Sequence, residues 1–186
     1  MNNSYRFPIL IALTSLAFVA TQLTFEHFTG GVRSHNLLNR PDLPAISNWF
    51  GLITFPLLGV VLGLRVRTHP SSTRWAGIPV PMLTALLGAL IYGAALAASF
   101  SLGETNITSA AFLGLFGCGL LLPVYRIEYI HGFVAGMLVT FGGVLPLLVA
   151  LVVSGVSFVV RYIVSSVAAV FHKRRVQSGE RFNKRL

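Results

Sequence analysis

Long apolar runs separated by short polar connections dominate this chain. Four of them contain no charged residue, and at about 20 residues for a bilayer-crossing helix each predicts one membrane helix. They cover residues 8–25, 49–64, 80–101 and 110–124. The first run is expected to remain as a helix, because its best candidate for a signal-peptide cleavage site, residues 18–20, opens with a bulky phenylalanine where a small residue is needed.

The last apolar run, residues 132–171, is too long for one crossing. Forty residues would form a helix of about 60 Å, twice the hydrocarbon thickness of a bilayer. The run therefore predicts two helices, with a break either at residues 142–146 or at Ser154 and Gly155. We favour the first position, because Pro146 would suit the first turn of the next helix.

The composition agrees with an integral membrane protein. Of 186 residues, 54% are apolar and 10% are charged, and the mean hydropathy is +0.76. The single cysteine excludes a disulfide scaffold. The predicted fold is an all-α, polytopic bundle of six transmembrane helices in residues 1–172, with an extracytoplasmic loop at 26–48 and a basic cytoplasmic tail at 173–186.

The net charge of +9 is concentrated at membrane flanks, which argues against nucleic-acid binding. We expect six helices in the cell membrane with both termini in the cytoplasm. This topology places eleven basic residues inside and leaves only Arg33 and Arg40 outside. The eleven are Arg6, Arg65, Arg67, Arg74, Arg126, Lys173, Arg174, Arg175, Arg181, Lys184 and Arg185. The tail is expected to be disordered beyond the last helical turn and to bind anionic lipid headgroups.

Small residues recur at helical spacing on several runs. Gly59 with Gly63, and Gly132 with Gly136, form GxxxG pairs. Further small residues share faces of the third and fourth helices: Ala85, Ala89, Gly93, Ala97, Gly114, Gly117 and Gly119. These faces serve either packing within the chain or a homo-oligomer interface.

The outer loop, residues 26–48, concentrates polar groups in a chain that has few. Gly30 and Gly31 predict a sharp turn, residues 32–39 a short helix on the membrane, and Ser47 with Asn48 a cap for the second membrane helix. We expect the loop to be ordered against the bundle through four apolar side chains. These are Leu37, Leu38, Leu43 and Ile46.

The same loop carries the first candidate site. Glu26, His27, His35 and Asp42 offer the nitrogen and carboxylate groups that bind zinc or a hard divalent ion, and a histidine with a glutamate can act as general base and acid. Glu26, His27 and His35 are the candidate metal ligands. The spacing matches no zinc motif, so only folding would bring these groups together. The alternative is a hydrated loop among headgroups.

Two further candidate binding positions lie elsewhere. Glu128 and His131 are three residues apart and would share a helix face, either as a proton relay or half of a metal site, or as part of an interfacial belt.

Arg161 is the only charge in the last run, on a stripe with Ser154, Ser157 and Ser165. We expect it near mid-membrane in a polar interior, with Glu128 as the nearest candidate acid. The alternative is snorkelling to the headgroups.

Three classes of function follow. The first is a solute- or ion-binding or transport protein, with a path lined by the Arg161 face. The second is an assembly subunit, and the third is a membrane-embedded enzyme, possibly metal-dependent, that acts on a lipid or amphiphile through Glu26, His27, His35 and Asp42. No motif indicates a cofactor, and Cys118 is expected to be an inert buried thiol.

Overall fold

Six α-helices account for most of the part of the chain that the computed structural model describes, which is residues 6–36, 40 and 42–183. The helices are α1 Arg6–Phe28, α2 Gly51–Thr68, α3 Val80–Ser101, α4 Thr105–Leu121, α5 Ile127–Phe141 and α6 Val144–Asn183. A 3-10 turn, Asn48–Phe50, leads into α2.

Four helical segments are long and apolar enough to cross a membrane. They are Arg6–Phe28, Asn48–Thr68, Val80–Ser101 and Val144–Ala169. The two shorter apolar helices are α4, with 17 residues, and α5, with 15. Large apolar side chains remain exposed on the outer faces of the bundle, as expected where the surrounding solvent is lipid. The helical class predicted from the sequence is therefore confirmed, and four apolar helices of membrane-spanning length fit a membrane protein.

The break in the last apolar run lies at Gly142 and Gly143, at the position favoured from the sequence. Gly142 has a φ of +69° and its N–H donates to the Leu138 carbonyl at 2.9 Å, which ends α5. A side chain at Gly142 would collide with that of Asn48. Pro146 lies in the first turn of α6, where its missing N–H leaves no intrahelical bond unmade.

The helix α6 continues through Asn183, so the predicted disorder of the tail is wrong as far as that residue. Its 40 residues give a length of about 60 Å, and the part after Ala169 extends the membrane-spanning segment. Extending an existing helix fixes one residue for each new hydrogen bond and avoids the cost of nucleation. Lys184 and Arg185 lie outside the described residues.

Both GxxxG pairs pack inside the chain. Gly59 lies against residues 11, 12 and 15 of α1, where a Cβ would be 2.7 Å from the Ser15 hydroxyl, and Gly63 lies against Pro8. Gly132 and Gly136 of α5 lie against the backbone of α3. These contacts form two close helix pairs, α1 with α2 and α3 with α5.

Helix α5 is the centre of the bundle, because it also contacts α2 and α6, while α4 packs on α6 and α3. Its buried residues join side chains from α1, α2, α3 and α6 in one core. The largest contributors include Leu23, Phe55, Leu96, Phe133, Leu138 and Val153.

Two short antiparallel hairpins complete the fold. In the outer loop, β1 Ser34–Asn36 pairs with β2 Ala45–Ser47, with His35 opposite Ile46. The short helix predicted over residues 32–39 is therefore wrong for residues 32–36, because the backbone of Arg33 bonds outside any helix: its N–H donates to Glu26 and its carbonyl accepts from Asn48 N–H. Leu37 and Leu38 lie outside the described residues.

The second hairpin, β3 Arg74–Trp75 with β4 Ile78–Pro79, follows α2. Its turn residues Ala76 and Gly77 both have positive φ, as a type I′ turn requires. The Arg74 guanidinium donates to the carbonyls of Val66, His69 and Gly77 and so satisfies groups left over at the end of α2.

Candidate functional site

A buried carboxylate, Glu26, anchors the outer loop to the bundle. Its Oε1 accepts hydrogen bonds from Gln22 Nε2 at 2.5 Å and Asn48 Nδ2 at 2.7 Å, and its Oε2 accepts from the Arg33 backbone N–H at 3.1 Å. Gln22, Glu26 and Asn48 are each at least 94% buried. We call Gln22, Glu26, Arg33 and Asn48 the Glu26 cluster. Its hydrogen bonds join the end of α1, the start of the hairpin and the turn before α2.

The other candidate groups of the outer loop do not join Glu26 in one site. His27 is exposed and its ring packs edge-on against Phe28. Asp42 is exposed and forms an ion pair with Arg40 at 2.8 Å. Within the described ranges, no three histidine, cysteine or acidic side chains are close enough to hold a metal ion. The arrangement that the metal and enzyme hypotheses need is therefore not found there.

His35 is half-buried beside Phe141, with 6.2 Å between the ring centres. Burial lowers the pKa of His35 from its ordinary value of 6.5; the Glu26 carboxylate acts in the opposite direction and the Arg33 guanidinium in the same direction as burial. The neutral form of His35 is therefore favoured, and the ring packs as an aromatic group on the end of α5.

Glu128 and His131 are both buried on α5, at 2% and 8% exposure. The His131 ring stacks on Phe55 with 4.6 Å between the ring centres and 12° between the planes. It also lines a small cavity of about 210 Å³ between α1, α2, α3 and α5. Glu128 Oε2 and His131 Nδ1 have no hydrogen-bond partner among the described atoms. The shared helix face expected from the sequence is present, because both residues lie on α5.

Arg161 and two serines of its stripe satisfy carbonyl groups where α4 ends. Arg161 donates to the Leu121 carbonyl at 2.7 Å, Ser157 to the Leu122 carbonyl at 2.9 Å and Ser154 to the Val124 carbonyl at 3.2 Å. The last carbonyls of a helix lack intrahelical donors and carry partial negative charge, which a guanidinium stabilises. Ser165 does not take part and donates to Tyr162 within α6.

The expected depth of Arg161, near mid-membrane, stays a prediction. Arg161 is level with the last residue of α4, about 26 Å along α6 from Val144 and about 12 Å before Ala169, where the membrane-length segment ends. Its partner is a backbone carbonyl and not Glu128. The stripe is polar as predicted, and Ser154, Ser157 and Arg161 donate to carbonyls at the end of α4 and just after it.

A cavity of about 380 Å³ lies between α3, α4, α5 and α6, and the sequence did not indicate it. We call it the side cavity. Most of its wall is apolar or small, including Gly88, Ala89, Leu115, Cys118, Phe133 and Val153. Thr84, Gly88 and Leu122 on its rim are exposed, so the cavity opens sideways between α3 and α4.

Polar side chains in the wall of the side cavity are largely engaged elsewhere. The Tyr92 hydroxyl donates to the Ala111 carbonyl at 2.6 Å, Thr84 donates to Pro81, and Ser154 donates to Val124. The cavity therefore offers an apolar surface, to which the α4–α5 connection contributes Leu122 and Val124.

Gln22 and Asn48 were missed as members of the Glu26 cluster. The spacing of Gln22 and Glu26, four residues apart on one helix, is a signal that would have found the first. Asn48 is 22 residues from Glu26, and no local pattern joins them.

Comparison with family models, curated proteins and solved structures gives no match to this chain.

Proposed function

We propose that this protein is a membrane protein that binds an apolar or amphiphilic molecule in the side cavity. The observation that carries the proposal is the cavity itself: four helices form it, its wall is apolar, and it opens on the flank of α3, a helix long enough to cross a membrane. Its volume of about 380 Å³ is at the lower end of the range of roughly 300–1,000 Å³ typical of ligand sites.

Of the function classes expected from the sequence, solute binding has the most support. A transport path along the Arg161 stripe has less support, because Ser154, Ser157 and Arg161 already bond to carbonyls at the end of α4. An enzyme acting through the outer loop has less, because His27 and Asp42 lie apart from the buried Glu26. A homo-oligomer through the GxxxG faces has less, because those glycines contact helices of their own chain.

We further propose that all six helices cross the cell membrane, with both termini cytoplasmic. The eleven-to-two distribution of basic residues supports this orientation. The helices α4 and α5 would be about 26 and 22 Å long, roughly 4 and 8 Å short of a hydrocarbon core of about 30 Å. Local thinning of the bilayer accommodates such a mismatch at a cost of fractions of a kcal/mol for each ångström.

Filling the side cavity tests the binding proposal. A Cβ at Gly88 meets nothing within 4 Å, so Gly88→Phe would occupy the cavity without a backbone clash. Gly155 is equally open but is not part of the cavity wall, which makes Gly155→Phe the matched control. The probe is a photoreactive long-chain alcohol, added to protein in nanodiscs of neutral phosphatidylcholine, with crosslinked peptides mapped by mass spectrometry.

We expect crosslinks to peptides that carry wall residues such as Leu115 and Phe133 in the unmodified protein and in Gly155→Phe, and their loss in Gly88→Phe. Alkylation of Cys118 by an apolar maleimide gives a second readout, because this single cysteine lies in the wall and the alcohol should slow its reaction. Equal labelling of all three proteins would contradict the proposal.

A further inference from the structure

We propose that the ligand of the side cavity is an anionic amphiphile that places one acyl chain in the cavity and its negative headgroup at the Arg161 guanidinium. This inference rests on the proposed function and names the class of ligand.

Arg161 does not line the side cavity, but it bonds to a residue that adjoins the cavity wall. Ser154, which lines the cavity, is seven residues before Arg161 on α6, which is two helical turns along the same face. Leu122, also in the wall, directly follows Leu121, whose carbonyl accepts the Arg161 hydrogen bond. The guanidinium is therefore positioned at the end of the cavity that borders the α4–α5 connection.

The guanidinium has donors to spare. It carries five N–H groups, and the Leu121 carbonyl accepts from one nitrogen, Nη2. The Nε atom is buried and has no partner among the described residues. In the described part of the chain no carboxylate pairs with Arg161, and the ion pair found joins Arg40 and Asp42. A carboxylate or phosphate at the Nη atoms would pair with the positive charge and accept hydrogen bonds from the N–H groups there that Leu121 does not use.

The surroundings of Arg161 favour an anion that places one acyl chain in the side cavity. Arg126 lies in the same connection and adds a second positive charge close in sequence to the carbonyls that Arg161 and its serines bond. The wall of the side cavity is apolar, and its volume of about 380 Å³ suits one acyl chain better than two. A free fatty acid and one chain of an anionic phospholipid share this chemistry, and the experiment distinguishes them.

The test compares a photoreactive fatty acid with the photoreactive alcohol of the same chain length at pH 8, in neutral nanodiscs. The main variant is Arg161→Gln, which keeps an N–H donor for the Leu121 carbonyl but removes the positive charge. Loss of one charge-assisted hydrogen bond predicts weaker binding of the acid by about tenfold, with no change for the alcohol. Arg161→Lys, which keeps the charge, should retain most of the acid binding.

Nanodiscs that contain phosphatidylglycerol separate the two sources of the anion. If the phospholipid suppresses acid labelling in the unmodified protein, the occupant is a phospholipid chain, and if labelling persists, it is the free acid. Both results support the proposal when Arg161→Gln weakens binding of the anion. Equal acid labelling of Arg161→Gln and the unmodified protein overturns it, even where Gly88→Phe abolishes alcohol labelling. Alcohol labelling that survives in Gly88→Phe overturns the proposed function instead.

Discussion

At the scale of single residues, Glu26 shows how this chain keeps a charge out of water at the end of a membrane helix. A buried carboxylate is costly unless hydrogen bonds replace its hydration. Two side-chain amides and one backbone N–H supply three such bonds. They come from three different elements, so the same bonds that stabilise the carboxylate also hold the outer loop against the bundle.

Replacing Glu26 by Ala should therefore destabilise the protein. The substitution leaves the amide groups of Gln22 and Asn48 buried and unpaired, and the expected loss is about 3 kcal/mol of unfolding free energy. Thermal unfolding in detergent measures it. Asp42→Asn is the control, because Asp42 forms an exposed ion pair and should change the stability little. Equal melting of Glu26→Ala and Asp42→Asn would contradict the structural role assigned to Glu26.

At the scale of elements, small residues decide which helices pair. The Gly93 Cα faces the α5 backbone closely enough that a Cβ would lie 2.6 Å from the Phe133 carbonyl oxygen. In a membrane, helices gain little from burying apolar surface, so such close backbone contact provides much of the association energy. Gly88 lies in the wall of the side cavity, where a Cβ meets nothing within 4 Å, while α3 stays close to α5 at Leu86 and Leu90.

Two glycines of α3 therefore predict opposite responses to the same substitution. Gly93→Ala should push α3 from α5 and reduce the unfolding free energy by about 1–3 kcal/mol. Gly88→Ala meets nothing within 4 Å and should leave the stability unchanged or raise it by up to about 1 kcal/mol through helix propensity. Unfolding of both variants in one detergent compares them. A larger loss for Gly88→Ala than for Gly93→Ala would contradict the packing described.

At the scale of the whole molecule, the proposed orientation assigns each connection to one side of the membrane. In this proposed orientation the outer loop is external, and the hairpin after α2 and the extension of α6 are cytoplasmic. Cysteine substitutions in a Cys118→Ser background test this at Asp42, Ser72 and Ser178. An impermeant maleimide should label Asp42→Cys in intact cells, and Ser72→Cys and Ser178→Cys only after permeabilisation. Labelling of positions 42 and 178 from the same side would rule out the orientation.

The sequence by itself determined the helical class and most helix boundaries. The end of α1 near Glu26, the span of α3 and the break at Gly142 follow from signals within a few residues: apolar runs, a left-handed glycine and a proline in the next helix. Residues 32–36 and the tail were interpreted wrongly. In the first case a long-range partner took the backbone hydrogen bonds, and in the second a helix already formed continued past the membrane span.

Only the tertiary structure decided the sites. The Glu26 cluster needs Asn48 from 22 residues away, and Arg161 meets the Leu121 carbonyl across 40 residues. The side cavity needs residues from four helices, with α3 and α5 in close contact at Gly93 and an open face of α3 at Gly88. Local patterns fix which face of a helix is small or polar. Which neighbour that face meets depends on the packing of all six helices, because each contact is chosen in competition with the others.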